Sequence, residues 1–119
     1  MPGQDTEPRI TTQAVAETVS VSADTRLIAN TRRAVLLNER GYRPKLYVPR
    51  GDVAASALID SDKRTHCPYK GNARYFHVVV GDQTYTDAAW SYDEPLADVA
   101  MIAGLIAFDH PAIRVDQQR

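Results

Sequence analysis

A second cysteine is missing from this 119-residue chain, so Cys67 has no internal disulfide partner. A lone thiol agrees with a reducing compartment, and we expect a cytoplasmic protein. No apolar run approaches the roughly 20 residues needed to span a membrane. Met1 to Ala16 mixes Asp5, Glu7 and Arg9 with small polar residues and lacks an apolar stretch, so no secretory leader is expected. The glycine signatures of phosphate-binding folds, a P-loop or a Gly-x-Gly-x-x-Gly turn, do not occur. A basic low-complexity arm, a helix-turn-helix signal and zinc-finger spacing are absent too, so neither nucleic acid nor a membrane is an expected partner. There is no internal repeat.

At 44% hydrophobic residues, the length suits one domain with a core of its own. The net charge of -1 hides an uneven distribution. Arg26 to Tyr75 carries eleven Lys and Arg against four Asp and Glu, a balance of +7, and Phe76 to Arg119 carries two against seven. If those cations gather after folding they suit an anionic ligand; if they point apart they form no patch.

Residues 1–16 show no period and read as a flexible N-terminal arm, with the domain over 17–119. Thr18 to Ser22 alternates as a half-buried strand does, and Ala23-Asp24-Thr25 turns it into Arg26 to Asn30, a hairpin. Ala34 to Leu37 and Lys45 to Val48 are further strands, separated by Gly41 and Pro44. Arg50-Gly51-Asp52 leads into an Ala-rich stretch that suggests a short helix near 52–58 with Asp52 as its cap. As an adhesion motif that tripeptide would need an exposed extracellular loop, which nothing else in the sequence supports.

Tyr75 to Val80, Gly81-Asp82 and Gln83 to Thr86 read as a hairpin with a two-residue turn. That turn pairs Val80 with Gln83, Val78 with Tyr85, Tyr75 with Ala88 and Ala73 with Trp90. Tyr75 and His77 then share a face with Thr86 and Trp90, while Phe76, Val78 and Tyr85 take the other. We expect the core under Phe76 and Val78, and an aromatic-lined hollow around Tyr75 and Trp90. Leu96 to Ala103 has apolar residues at helical spacing between Pro95 and Gly104, which predicts a helix near 95–103. Leu105 to Phe108 and Ile113 to Val115 close the fold. The class is α+β, mostly β, a single domain with an antiparallel sheet.

The stretch Thr65-His66-Cys67-Pro68-Tyr69-Lys70-Gly71 with Ala73 and Tyr75 concentrates the reactive side chains. Together with Tyr47-Val48-Pro49-Arg50-Gly51-Asp52-Val53, Ala89-Trp90-Ser91-Tyr92 with Pro95, and Ala103-Gly104 with Phe108, it resembles the domain of unknown function family 427. The blocks occur in order and span about Thr18 to Asp116. The resemblance implies one mostly β domain similar to the tent-shaped sheets of the Mss4-like group, and it brings a nucleotidyltransferase-type label without an established reaction. Relatives of that fold often hold zinc between two Cys-x-x-Cys knuckles; this chain has neither.

Three functions stay open on these residues. In the first, Tyr75, Trp90 and Tyr92 stack on a planar ligand whose anionic groups meet Arg50 and Lys70. In the second, Lys70 or Cys67 reacts with a bound small molecule, Lys70 after its pKa is lowered by Arg50 or Arg74. His66, adjacent to Cys67 on a strand, points to the opposite face and is poorly placed as its base. In the third, the motif is structural and the protein is a non-catalytic interaction domain. A polymerase-type transferase would need a Gly-Ser turn and paired carboxylates for magnesium, which are not visible. Zinc would have to draw on Cys67, His66, His77 and His110 without knuckle spacing, so we expect no metal and no cofactor. The expected partner is a small molecule, with a homodimer left open.

Overall fold

The hairpin at Gly81 forms where the sequence puts it. In the computed structural model, which describes residues 9–118, β7 (Gly71–Val80) and β8 (Gln83–Ser91) pair antiparallel with Val80 opposite Gln83 and Val78 opposite Tyr85. Gly81 takes φ 59°, a left-handed value that a Cβ would penalise. Beyond Val78 the expected register fails: Phe76 faces Ala89 and Tyr75 faces Trp90, two positions further along β8. The extra residues are taken up opposite His77, where Asp87 adopts φ 52°. Aspartate tolerates this conformation better than most residues, and a bulge is where it is used. A slip of two returns every side chain to its own face, so the expected division between Tyr75/Trp90 and Phe76/Val78 survives.

β6 (Leu58–Cys67) and β9 (Ile106–Phe108) flank this pair in the sheet order β6-β7-β8-β9. A second antiparallel sheet has the order β10-β2-β3, from β10 (Ile113–Gln117), β2 (Val19–Ala23) and β3 (Arg26–Thr31). The third is β1-β4-β5, from β1 (Ile10–Val15), β4 (Ala34–Glu39) and β5 (Lys45–Tyr47). All three sheets belong to one mostly β domain. The arm expected over 1–16 is therefore corrected: Ile10 to Val15 pairs along its length with Glu39 to Ala34. The remainder of that expectation, residues 1–8, lies outside the described residues.

Neither helix is an α-helix. The segment near 52–58 is two 3-10 turns, Arg50–Asp52 and Ala55–Ala57, parted by an extended Val53 that bridges Ala29. Ala54 N–H also donates to Ile28 O at 2.8 Å, and this attachment to β3 overrides the helix preference of the alanines. Asp52 does not cap: its carboxylate accepts from Thr31 Oγ1 at 2.6 Å and Arg33 Nη2 at 3.3 Å. The Arg-Gly-Asp tripeptide thus has its acidic group turned back onto the protein. Near 95–103 the chain makes a 3-10 segment, Ala97–Ile102, interrupted at Val99. Its two buried side chains, Val99 and Ile102, are three apart, the 3-10 repeat rather than the α repeat. Among the described residues no helix is long and apolar enough to cross a membrane.

Two clusters of buried residues lie on opposite faces of the β7–β8 hairpin. The larger joins Phe76, Val78 and Ala89 to Val19, Val21, Ile28 and Ile106, with the β2–β3 sheet as its other wall. Phe76 and Val78 are fully buried, as expected; each such side chain contributes about 1.5–3 kcal/mol. The smaller cluster joins Ala73 and Tyr92 to Val35, Leu37, Tyr47, Val99 and Ile102, with Tyr75, Trp90 and Cys67 packed at its margin.

Candidate functional site

The Cys-Pro-Tyr-Lys-Gly block is the tip of the β6–β7 hairpin. Cys67 pairs with Gly71, and Lys70 N–H donates to Cys67 O at 3.2 Å, which closes a turn with Pro68 at the position its fixed φ favours. Gly71 completes the reversal with φ 114°, and a Cβ there would lie 3.4 Å from Glu94 O. The composition of the motif thus has a backbone reason. Its side chains then divide by alternation. His66 faces outward, its Nδ1 2.7 Å from Oδ1 of its cross-strand neighbour Asn72. Cys67 faces the smaller cluster and is half-buried.

Above that cluster lies a hollow of about 470 Å³. β7 and β8 supply Tyr75 and Trp90, directly opposite each other with ring centroids 6.1 Å apart at 41°. Tyr92, Cys67 and Lys70 continue this wall. The facing wall comes from β4, β5 and the loop between them: Leu37, Glu39, Tyr42, Arg43, Lys45 and Tyr47, with Asp109 after β9 at the rim. Trp90 Nε1–H donates to Tyr47 Oη at 3.2 Å and ties the walls together.

Two ion pairs cross the hollow. Lys70 Nζ lies 2.8 Å from Glu39 Oε1, with side-chain exposures of 16% and 7%. Water contributes little there, so each charge depends on the other. Lys45 Nζ lies 2.8 Å from Asp109 Oδ2, in a far more exposed position. Arg43, exposed at the mouth, has no carboxylate partner among the described residues. Both buried tyrosines resist ionisation. Burial pushes the Tyr47 phenol up to about 12, against the partial relief given by the Trp90 hydrogen bond. Burial, with Tyr47 alongside, holds Tyr92 well above the usual phenol range.

Of the residues expected to bind ligand, Lys70, Tyr75, Trp90 and Tyr92 are brought together here. Arg50 is not. It projects from the turn after Pro49, its guanidinium 5.0 Å from the Phe76 ring centroid, and Phe76 belongs to the cluster on the other face. The cations of the hollow are instead Arg43 and Lys45 beside Lys70. Of the two candidate nucleophiles, both Cys67 and Lys70 line the space. The histidines are dispersed among other tasks: His77 Nδ1 accepts from Asp87 N–H at 3.1 Å, and His110 Nδ1 from Ala112 N–H at 3.0 Å. Sequence reading missed Glu39, Tyr42, Arg43, Lys45 and Tyr47. The alternation Lys45-Leu46-Tyr47 signals that Lys45 and Tyr47 share a face, but not which sheet they meet.

A search of the curated proteins gives no match. The family model described as a domain of unknown function (DUF427) matches residues 11–119, from β1 through β10 and including both walls of the hollow. On a match of that extent, the chain belongs to the DUF427 family.

Proposed function

We propose that the hollow binds a small planar molecule carrying one negative charge. The observation that carries this reading is the gathering of five aromatic side chains, Tyr42, Tyr47, Tyr75, Trp90 and Tyr92, around one space whose lining has a charge surplus of +1 (Arg43, Lys45 and Lys70 against Glu39 and Asp109). A volume of about 470 Å³ falls within the roughly 300–1,000 Å³ typical of small-molecule sites. A planar ligand stacks on the Tyr75–Trp90 pair, and its anion meets Arg43 at the mouth, a residue with no carboxylate partner among the described residues. Every wall comes from this one chain, so a second copy is not required, and neither nucleic acid nor a membrane enters the reading. A cytoplasmic setting goes with it, supported by the lone half-buried thiol.

A second reading makes the hollow an active site. The Lys70–Glu39 pair sets a proton donor beside an acceptor next to Cys67, and a ligand in the hollow would lie against all three. The short name of the family refers to nucleotidyl transfer. That reaction calls for carboxylates grouped around a metal ion, and among the described residues no three His, Cys, Asp or Glu side chains gather in this way. Binding is therefore the primary reading.

Trp90 is the only tryptophan in the sequence, so its emission reports on this wall alone. We expect aromatic monocarboxylates both to raise Tm and to quench Trp90, and aliphatic monocarboxylates of the same charge to do neither. Tyr75→Ala and Arg43→Ala should each weaken the response at least tenfold. A panel in which nothing quenches Trp90 or raises Tm would favour a non-catalytic interaction domain.

A further inference from the structure

A second hollow, of about 410 Å³, adjoins the first and shares Arg43, Lys45 and Asp109 with it. The two lie on opposite faces of the β4–β5 pair. Leu37 and Tyr47 point into the first, whereas Leu36 and Leu46, one residue along on each strand, point into the second. Phe108, Ile113 and Val115 complete an apolar floor. The rim that the two spaces share carries the Lys45–Asp109 ion pair, with side-chain exposures of 34% and 62%. Such a solvated pair holds its geometry weakly and opens at little cost.

Resting on the reading above, we propose that the two hollows form one bipartite site for an elongated amphiphilic acid. Its planar head stacks on Tyr75 and Trp90, and its anionic group sits at the junction between Arg43 and Lys45. Its apolar arm lies on the floor made by Leu36, Leu46 and Ile113. Charge complementarity fixes this order. The junction holds two cations against one carboxylate, so an anion that displaces Asp109 from Lys45 leaves both cations matched. The first hollow is aromatic and the second mainly aliphatic at its base, which assigns the rigid ring to one and the arm to the other. Lys45–Asp109 then acts as a clasp across the ligand path, and its strength sets the preference for long ligands over short ones.

Two probes of equal charge test this on the intact protein. Naphthalene-1-sulfonate has the ring and the anion; 1-anilinonaphthalene-8-sulfonate adds an apolar arm. Each is titrated against Trp90 emission, and displacement of the second by the first locates both in the same place. The expected result is at least tenfold tighter binding of the anilino compound. Ile113→Glu, placed in the second hollow only, should abolish that advantage and leave the naphthalene affinity within twofold. Asp109→Ala should tighten both probes by freeing Lys45. Equal affinities for the two probes, unchanged by Ile113→Glu, would overturn the bipartite site while leaving the first hollow as a binding site. Absence of naphthalene-1-sulfonate binding, with Tm unchanged, would overturn both.

Discussion

Tyr75 and Phe76 are neighbours in the chain, yet each faces a different kind of interior. Phe76 is fully buried between β7–β8 and the β2–β3 sheet, among apolar side chains with the Arg50 guanidinium 5.0 Å from its ring centroid. Tyr75 faces a space edged by ring systems, a thiol and ion pairs. The two environments share one backbone, so the strand period alone separates a sealed core from an open hollow. The difference teaches that substitutions on the two faces should fail differently: on the Phe76 face through lost burial, on the Tyr75 face through stranded charge and altered titration.

The largest effect is expected from Phe76→Ala. It should lower stability by about 3–5 kcal/mol, seen as a drop in the urea midpoint, because a close-packed interior cannot collapse around the vacancy. On the opposite face, Glu39→Gln should cost about 2–3 kcal/mol, since it leaves the Lys70 ammonium buried without its counter-charge. The comparison sharpens if Lys70→Met is added to Glu39→Gln: removing the stranded charge should recover part of the loss, whereas no second substitution on the Phe76 face can do so. Failure to recover would mean that both faces are held by burial alone.

Smaller effects follow from titration. Hydrogen bonds from Thr31 and then Arg33 hold the Asp52 carboxyl below its ordinary value. Its contribution to stability is present above the carboxylate range and is lost as pH falls through the lowered value, so Asp52→Asn should flatten the acid limb of the unfolding curve. The smallest change concerns Tyr47. Its phenol rises from 10.0 to about 12 on burial, so the stability it confers is present below pH 10 and declines as pH climbs from 10 to 12. Trp90→Phe removes the hydrogen bond that eases its ionisation, and ultraviolet titration should show one tyrosine shifted still higher. A titration in which all six tyrosines ionise near 10 in both proteins would count against a dry wall at Tyr47.

Much of this was legible because strands write their faces into the sequence. The Gly81-Asp82 turn gave the hairpin, and alternation gave the faces of Phe76, Val78, Tyr75 and Trp90. The bulge at Asp87 carried no glycine to announce it. The spacing of Leu96, Val99 and Ile102 contains a period of three as well as apparent helical spacing, and attachment of Ala103 and Gly104 to Tyr92 decides for the tighter winding. Half of the hollow was hidden for a different reason. Glu39, Lys45 and Tyr47 reach Trp90 and Lys70 through the meeting of two sheets, which are bridged at Val48 and Ile106, a long-range event that no local pattern encodes. Arg50 misled for the converse reason: closeness to a motif in sequence placed it on the far side of the sheet in space.

Hairpin tips are ordinarily the loosest part of a sheet. Lys70, at such a tip, is instead fastened in three directions: its N–H to Cys67, its carbonyl to the Leu96 N–H at 2.9 Å, and its ammonium to Glu39. One residue therefore stitches β6, the segment after Pro95 and β4 into a single frame. Were a small molecule to bind there as proposed, little free energy would go to ordering the protein, and selectivity among close analogues would be a matter of shape and charge.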